Sequence, residues 1–252
     1  MSKSDDLAIA LKELQRSFGA GIVVKGTDAA AIVLERLPTG SLGLDIGLHG
    51  GWLRGHINVL WAGEGAGKNY LACKAMANAQ KRGLSVAFIS VESSLDPAWY
   101  RACGVNVEDM YIVPAIRTLE EAYETAAKLV RGRIDVLVFD SLVGMSNLAE
   151  QEKGIDDDGF SAIPRKIGEL MRRLQTELMP ERTKEGLVAN ECCVLLLNQM
   201  RVKVGGVSYD PDIMPGGKGL AHGNHNLVKL RKVQDLKVTE KRWVRNKTGE
   251  LE

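Results

Sequence analysis

Long apolar runs, a marked excess of charge of one sign, Cys-x-x-Cys pairs and internal repeats are all missing from these 252 residues. No apolar stretch approaches the roughly 18 residues of a membrane-spanning helix, and Met1-Ser-Lys-Ser-Asp-Asp6 lacks the basic region and apolar core of an export signal. A cytoplasmic protein with no membrane partner is therefore expected. The four cysteines, at 73, 103, 192 and 193, read as reduced and mostly buried. A formal net charge of +1 predicts no general affinity for polyanions, but the charge is uneven: residues 229–247 carry eight Lys or Arg against Asp235 and Glu240 and read as a basic face. What is present is a 45% hydrophobic complement, ample for the core of a soluble globular chain of one large or two small domains.

The most informative segment is Ala62-Gly63-Glu64-Gly65-Ala66-Gly67-Lys68-Asn69-Tyr70, set between the apolar run Ile57–Trp61 and a helical stripe of Leu71, Ala75, Met76 and Ala79. It approximates the phosphate-binding pattern G-x-x-x-x-G-K-[ST], in which glycines let backbone N–H groups curl round a phosphate, the lysine reaches the terminal phosphates and a hydroxyl ligates magnesium. Two letters depart from it. Ala62 stands where the first glycine belongs, which is tolerable if its φ is below zero. Asn69 replaces the hydroxyl, and an amide oxygen is a weaker, differently directed ligand for a hard cation. The plain alternative is a glycine-rich turn with no ligand.

The order of elements predicts an α/β fold. Leu7, Leu11, Leu14 and Phe18 recur at helical spacing, and Gly19-Ala-Gly21 stops that helix before a short β-branched run, Ile22–Val24. Residues 1–34 thus read as a small N-terminal helix-strand appendage and oligomerisation segment, and residues 35–252 as the core. Beyond the loop, the apolar runs 84–89, 134–139 and 193–197 alternate with helical patterns over 71–79, 119–130 and 163–178. Such alternation implies a mainly parallel, twisted, buried sheet flanked by helices. Two further runs, 227–233 and 236–244, alternate polar with apolar and predict an antiparallel edge near the C-terminus.

Parallel sheets carry their chemistry at the carboxyl ends of their strands. Glu92 follows the run ending at Ile89, Asp140 and Ser141 follow Phe139, and Asn198 and Gln199 follow Leu197. In a phosphate-binding protein the aspartate can hold magnesium, the glutamate can orient or deprotonate an attacking water, and the amides can sense a γ-phosphate. Singly, each is equally a strand cap or a solvated turn.

Pro38-Thr-Gly-Ser-Leu-Gly-Leu-Asp-Ile46, the phosphate loop, Val91-Glu-Ser-Ser-Leu-Asp-Pro97, Val138-Phe-Asp-Ser141, Asn198-Gln-Met-Arg201 and Gly216-Gly217 together resemble, in order and spacing, the RecA-type recombinases. The resemblance covers nearly the whole chain, which would be a minimal version lacking the C-terminal domain. It implies a P-loop RecA-like core, ATP and Mg2+ as cofactors, Lys68 as phosphate contact, Glu92 as catalytic base, Asp140 with Asn69 on the magnesium side, and Gln199 as the link from γ-phosphate to DNA. Asp96 and Trp99 occupy adenine-contacting positions, with packing of Trp99 and Tyr100 under the loop as the alternative.

Two polar segments, near 150–162 and 201–217, would be DNA-binding loops; on residues alone, solvated loops serve equally well. By resemblance Phe160 and Val204 sit between stretched bases, with Ser161, Arg165, Arg172, Arg201, Val202, Lys203, Gly216, Gly217 and Lys218 among the contacts to DNA. Asp156-Asp157-Asp158 opposes this by repelling phosphate. Arg245 and Lys247 align with lysines that reach the ATP of a neighbouring subunit, and His222 aligns with an intersubunit phenylalanine.

The implied activity is that of a DNA-dependent ATPase, weakened by Asn69. Assembled as a helical filament on single-stranded DNA, it would pair that strand with homologous duplex in recombination and repair. One alternative is a nucleotide-gated DNA-binding filament or mediator with little turnover; another is a hexameric, helicase-like motor.

Overall fold

The computed structural model describes residues 3–19, 21–23, 25, 35–90, 96–114, 116–141, 162–183, 186–202 and 212–232. Its centre is a sheet of β3 (Ile57–Ala62), β4 (Val86–Ser90), β5 (Met110–Val113), β6 (Val136–Asp140), β9 (Cys193–Gln199) and β12 (Asn226–Leu230). The spatial order is β12-β3-β9-β6-β4-β5, and every neighbouring pair is parallel. Short antiparallel pairs lie outside it: β1 (Arg36–Leu37) with β2 (Trp52–Leu53), β7 (Glu181–Thr183) with β8 (Gly186–Val188), and β10 (Arg201–Val202) with β11 (Asp212–Ile213).

The central strands are apolar on both faces, and their two-residue period sorts the side chains into two cores. Ile57, Val59, Ile89, Leu137, Phe139, Val194 and Leu196 face the helices Leu119–Arg131 and Ala162–Leu178. Leu60, Val86, Phe88, Val136, Val138, Leu195 and Leu197 face the helix Lys68–Gln80 and the buried Tyr100 and Cys103. The result is a three-layer α/β/α core, as the alternation of elements predicts. All four cysteines are free and buried. Burial pushes the Cys73 thiol up, with Cys103 beside it adding to the effect, so it is held as an unreactive thiol.

Two expected elements differ. Of the run beginning at Leu227, β12 pairs parallel with β3, Asn226 opposite Asn58 and Leu230 opposite Ala62, so on this side the pairing is not antiparallel. The helix Gly217–His222 returns the chain to the starting end of the sheet before β12 begins, and that crossover dictates the parallel sense. The alternating pattern arises because an edge strand is only half covered, whichever way it runs. The second run, 236–244, lies outside the described residues.

The N-terminal helix spans Lys3–Phe18 and has no buried residue; Gly19 ends it at φ +89°, its N–H bonded to the Gln15 carbonyl. Ile22 and Val23, the described part of the β-branched run after it, are not in a strand. Gly21–Val23 form a turn and bend, Gly21 itself at φ +84°, and Val24 lies outside the described residues. β-Propensity needs a partner edge to become a strand, and among the described residues no edge pairs with this run.

At the amino end of the sheet a charged cluster ties several connections together. Arg54, 4% exposed, meets Asp135 at 2.7 Å, Glu191 at 3.0 Å and Glu35 at 3.4 Å. Its Nε donates to the Glu191 carbonyl, and Asp135 also accepts from the N–H and hydroxyl of Ser85. Replacing Arg54 by Met should lower unfolding stability by about 3 kcal/mol, the low end for breaking a buried pair because Glu35 and Glu191 are largely exposed. Urea denaturation measures this, and the cleft at the opposite end of the sheet should keep its ligand affinity.

Candidate nucleotide-binding site

β3 delivers the chain to the loop 63–67, and the helix Lys68–Gln80 carries it away. Gly65 and Gly67 sit at φ +66° and +97°, a region closed to most side chains, and this lets the loop fold its N–H groups inward. Gly67 is also the N-cap and offers no side-chain acceptor, so the amides of the first helical turn remain available to an anion. Ala62 ends β3, is fully buried and keeps φ below zero, so the missing first glycine costs the loop nothing. Lys68 Nζ donates to the carbonyls of Ala62 and Gly63 at 3.2 and 3.0 Å, which anchors it across the mouth of the loop.

The sheet register brings the other predicted groups to this loop. Ala62 lies opposite Gln199, Leu197 opposite Asp140, and Asp140 opposite Ser90. A cavity of about 340 Å³ results, lined by loop residues Glu64–Tyr70, Trp99, Asp140, Ser141 and Gln199. Ser141 has no counterpart among the predicted site residues, although its place beside Asp140 at a strand end marks it. Glu92 lies outside the described residues, two positions beyond Ser90.

Asp96 and Trp99 divide their roles. Asp96 caps the helix Pro97–Ala102, its carboxylate accepting from the N–H groups of Ala98 and Trp99 at 3.0 and 3.2 Å. Tyr100 is buried edge-on against Phe88, and Trp99 packs edge-on against Tyr100 and is 37% exposed. Trp99 therefore lines the cavity as an exposed aromatic surface, as does Tyr70 in the first turn of the helix after the loop.

Asn69 departs from the pattern in a definite way. Its Nδ2 donates to Asp140 Oδ2 at 2.8 Å. The amide thus presents a donor, and to the one carboxylate positioned to face a phosphate-bound cation. Among the described residues no group of three or more His, Cys, Asp or Glu could hold a metal ion. The loop fits a phosphate; at position 69 an amide nitrogen, not a hydroxyl oxygen, faces Asp140, so residue 69 does not fit the magnesium-ligating place in the pattern.

The predicted DNA-contacting positions partly converge. Arg165 and Arg172 are exposed and seven residues apart on the helix Ala162–Leu178, hence on nearly the same face, whereas Arg173 pairs with Glu169 at 2.7 Å and lies over the Tyr123 ring. Arg201 and Val202 form β10, directly after the cavity-lining end of β9, and Lys218 lies in the helix Gly217–His222. Gly168 and Gly219 let that helix approach so closely that a Cβ on Gly219 would lie 2.5 Å from the Gly168 Cα; Gly217 comes up against Pro164 in the same way. The far end of the second loop therefore meets the helix that follows the first. Sequence reasoning missed the tie that holds it there: Asn198, fully buried, donates from Nδ2 to the Pro215 carbonyl at 2.7 Å. Phe160, Ser161, Lys203, Val204, Arg245 and Lys247 lie outside the described residues. His222 is exposed at the end of its helix.

Comparison with known proteins agrees with this arrangement. Residues 5–249 match the RecA N-terminal domain. The chain is 34% identical over 243 residues to a Protein RecA of Rhizobium leguminosarum bv. viciae, covering 95% of this chain and 66% of that one. It is 36% and 35% identical over 240 residues to the Protein RecA of Bartonella quintana (strain Toulouse) and of Blastochloris viridis, in each case covering 94% of this chain and 66% of the relative. The chain thus spans about 66% of the length of these relatives. No helix among the described residues is long and apolar enough to cross a membrane.

The exposed ring of Trp99 leads to a direct test. Trp99→Ala should weaken binding of a purine nucleotide about tenfold, within the 1–3 kcal/mol of one base–aromatic stack, while Trp99→Phe retains most of the affinity. Calorimetric titration measures both. Asp96→Ala should instead cost about 1 kcal/mol of stability through its cap, and Asp96→Asn a few tenths at most.

Proposed function

We propose, from the premise that this chain belongs to the RecA family, that it is an ATP-dependent single-stranded DNA-binding recombinase. It would assemble as a helical filament on the single strand and pair it with homologous duplex. The observation that carries the reading is the continuity of one strand: β9 ends at Gln199 in the wall of the phosphate cavity, and the chain passes within two residues into the β10–β11 hairpin at the base of the second polar loop. A group that senses the terminal phosphate is thereby joined to a segment suited to a DNA backbone.

In this reading the loop amides and Lys68 hold the phosphates of ATP, Trp99 stacks on adenine and Gln199 reports the γ-phosphate. Glu92 acts as the base toward water, and residues 201–218 with Arg165 and Arg172 meet the strand, with Phe160 and Val204 between bases. Residues 1–34 serve as the oligomerisation segment, its exposed Leu7, Leu14 and Phe18 available to a neighbouring copy, and Arg245 and Lys247 reach across to that copy's nucleotide. A second reading, a nucleotide-gated filament with little turnover, is favoured by the Asn69–Asp140 bond, which occupies the carboxylate expected to serve the metal.

Gln199→Ala tests the coupling. Nucleotide and single-stranded DNA should each still bind, but a non-hydrolysable ATP analogue should no longer tighten DNA binding, nor DNA tighten nucleotide binding, because linkage is reciprocal. Titration of DNA with and without the analogue reads this out; enhancement retained in the variant would mean that the loops are ordered without Gln199. Glu92→Gln should abolish hydrolysis while leaving analogue-dependent DNA binding intact, since a base acts only in the chemical step. Steady-state ATPase and filter-binding assays on one preparation separate the two effects.

A further inference from the structure

We propose that Asn69 makes nucleotide binding in this cleft independent of a divalent cation, its amide occupying the Asp140 oxygen that a cation would otherwise engage; the proposal rests on the nucleotide reading above. Asp140 is 7% exposed at the carboxyl end of β6, next to the phosphate loop. A carboxylate so buried needs a compensating partner, either a bound cation or a hydrogen-bond donor. In a loop that keeps the Ser or Thr, that partner is the metal, which the hydroxyl oxygen also ligates. Here Asn69, in the first turn of the helix Lys68–Gln80, donates to Asp140 Oδ2 at 2.8 Å. One amide cannot aim its N–H at a carboxylate oxygen and also turn its own oxygen to a cation bound by that same oxygen.

The anion side of the cleft is complete without a cation. Gly65 and Gly67 hold the loop in its amide-inward form, the first-turn N–H groups have no side-chain cap, and Lys68 lies across the mouth. Among the described residues the lining side chains that carry negative charge are Asp140, which the amide partners, and Glu64, which is exposed. A divalent ion entering beside Asp140 would have to displace a hydrogen bond to a charged group, which lowers its affinity there about ten- to a hundredfold. Residue 69 thus supplies a hydrogen bond to Asp140 in place of a cation contact, and the positive potential toward the phosphates comes from Lys68 and the loop amides.

The experiment is calorimetric titration of the whole chain with a non-hydrolysable ATP analogue, in millimolar magnesium and in EDTA. Wild type should bind with affinities within about threefold of each other in the two conditions. Asn69→Thr, which restores the hydroxyl, should gain a dependence on magnesium of about tenfold or more. Asn69→Ala, which leaves Asp140 without its amide, should likewise lose affinity in EDTA and recover it with magnesium. A wild-type affinity that falls about tenfold in EDTA overturns the proposal while leaving the nucleotide site in place, and the wild-type arm decides this even if a variant fails to fold. Cation-independent binding retained by a folded Asn69→Ala protein overturns it as well, by removing the amide as the cause. Absence of binding in both conditions overturns the nucleotide reading itself, and the proposal with it.

Discussion

Parallel pairing sets β3, β9, β6 and β4 side by side with their carboxyl ends level, and this alignment is the constraint on which the site depends. Because these strands are buried on both faces, sliding any one of them by a residue would exchange its contributions to the two cores, sending Leu195 and Leu197 where Val194 and Leu196 pack. Register is therefore held by the whole apolar interior. The groups at the strand ends inherit that rigidity without contributing to it. Asp140, Gln199 and the loop after Ala62 are brought together by residues that never touch a ligand, while the amino ends of the same strands are tied by Arg54, Asp135 and Ser85. Structural charge lies at one end of the sheet and candidate chemistry at the other.

The end of β9 shows how a strand can serve two places at once. Successive residues point to opposite faces, so Asn198 turns into the structure and holds the Pro215 carbonyl while Gln199 lines the cavity. Pro215 leads into Gly216 and Gly217, which pack on Ile167 and Pro164 of the neighbouring helix. A shift of the strand end would therefore be felt both at the phosphate cavity and where the second loop meets the helix after the first. Contiguity of this kind becomes coupling only when two ligands bias the same element, and the segment Asn198–Arg201 is the element both would have to bias.

Much of this was legible in the sequence, for identifiable reasons. The phosphate loop is legible because its glycines answer a backbone requirement, and Asp140 and Gln199 because an apolar run that ends abruptly in a polar group is how a buried strand reaches the rim of its sheet. The parallel sense of β12 was not legible, since half-burial gives an edge strand the same alternation in either direction. Ile22 and Val23 stand outside any strand because propensity speaks for the residues and not for a partner edge, and among the described residues none pairs with them. The Asn198–Pro215 bond joins positions seventeen residues apart across a polar segment, where no periodicity carries information. Adjacent residues 198 and 199 also look interchangeable until the pleat assigns one inward and one to the cavity.

The two letters that depart from the phosphate-loop pattern differ in consequence, and the difference is one of backbone against side chain. A glycine is needed only where φ is positive or another backbone comes close; Ala62 meets neither condition and simply finishes a strand. Position 69 is defined by the atom it offers. A hydroxyl can donate to a carboxylate and still turn a lone pair to a cation, whereas the Asn69 amide, once its nitrogen is committed to Asp140, holds its oxygen on the far side of a planar group. One substitution is absorbed by the local fold, and the other sets an amide donor against the buried Asp140 where the pattern has a hydroxyl.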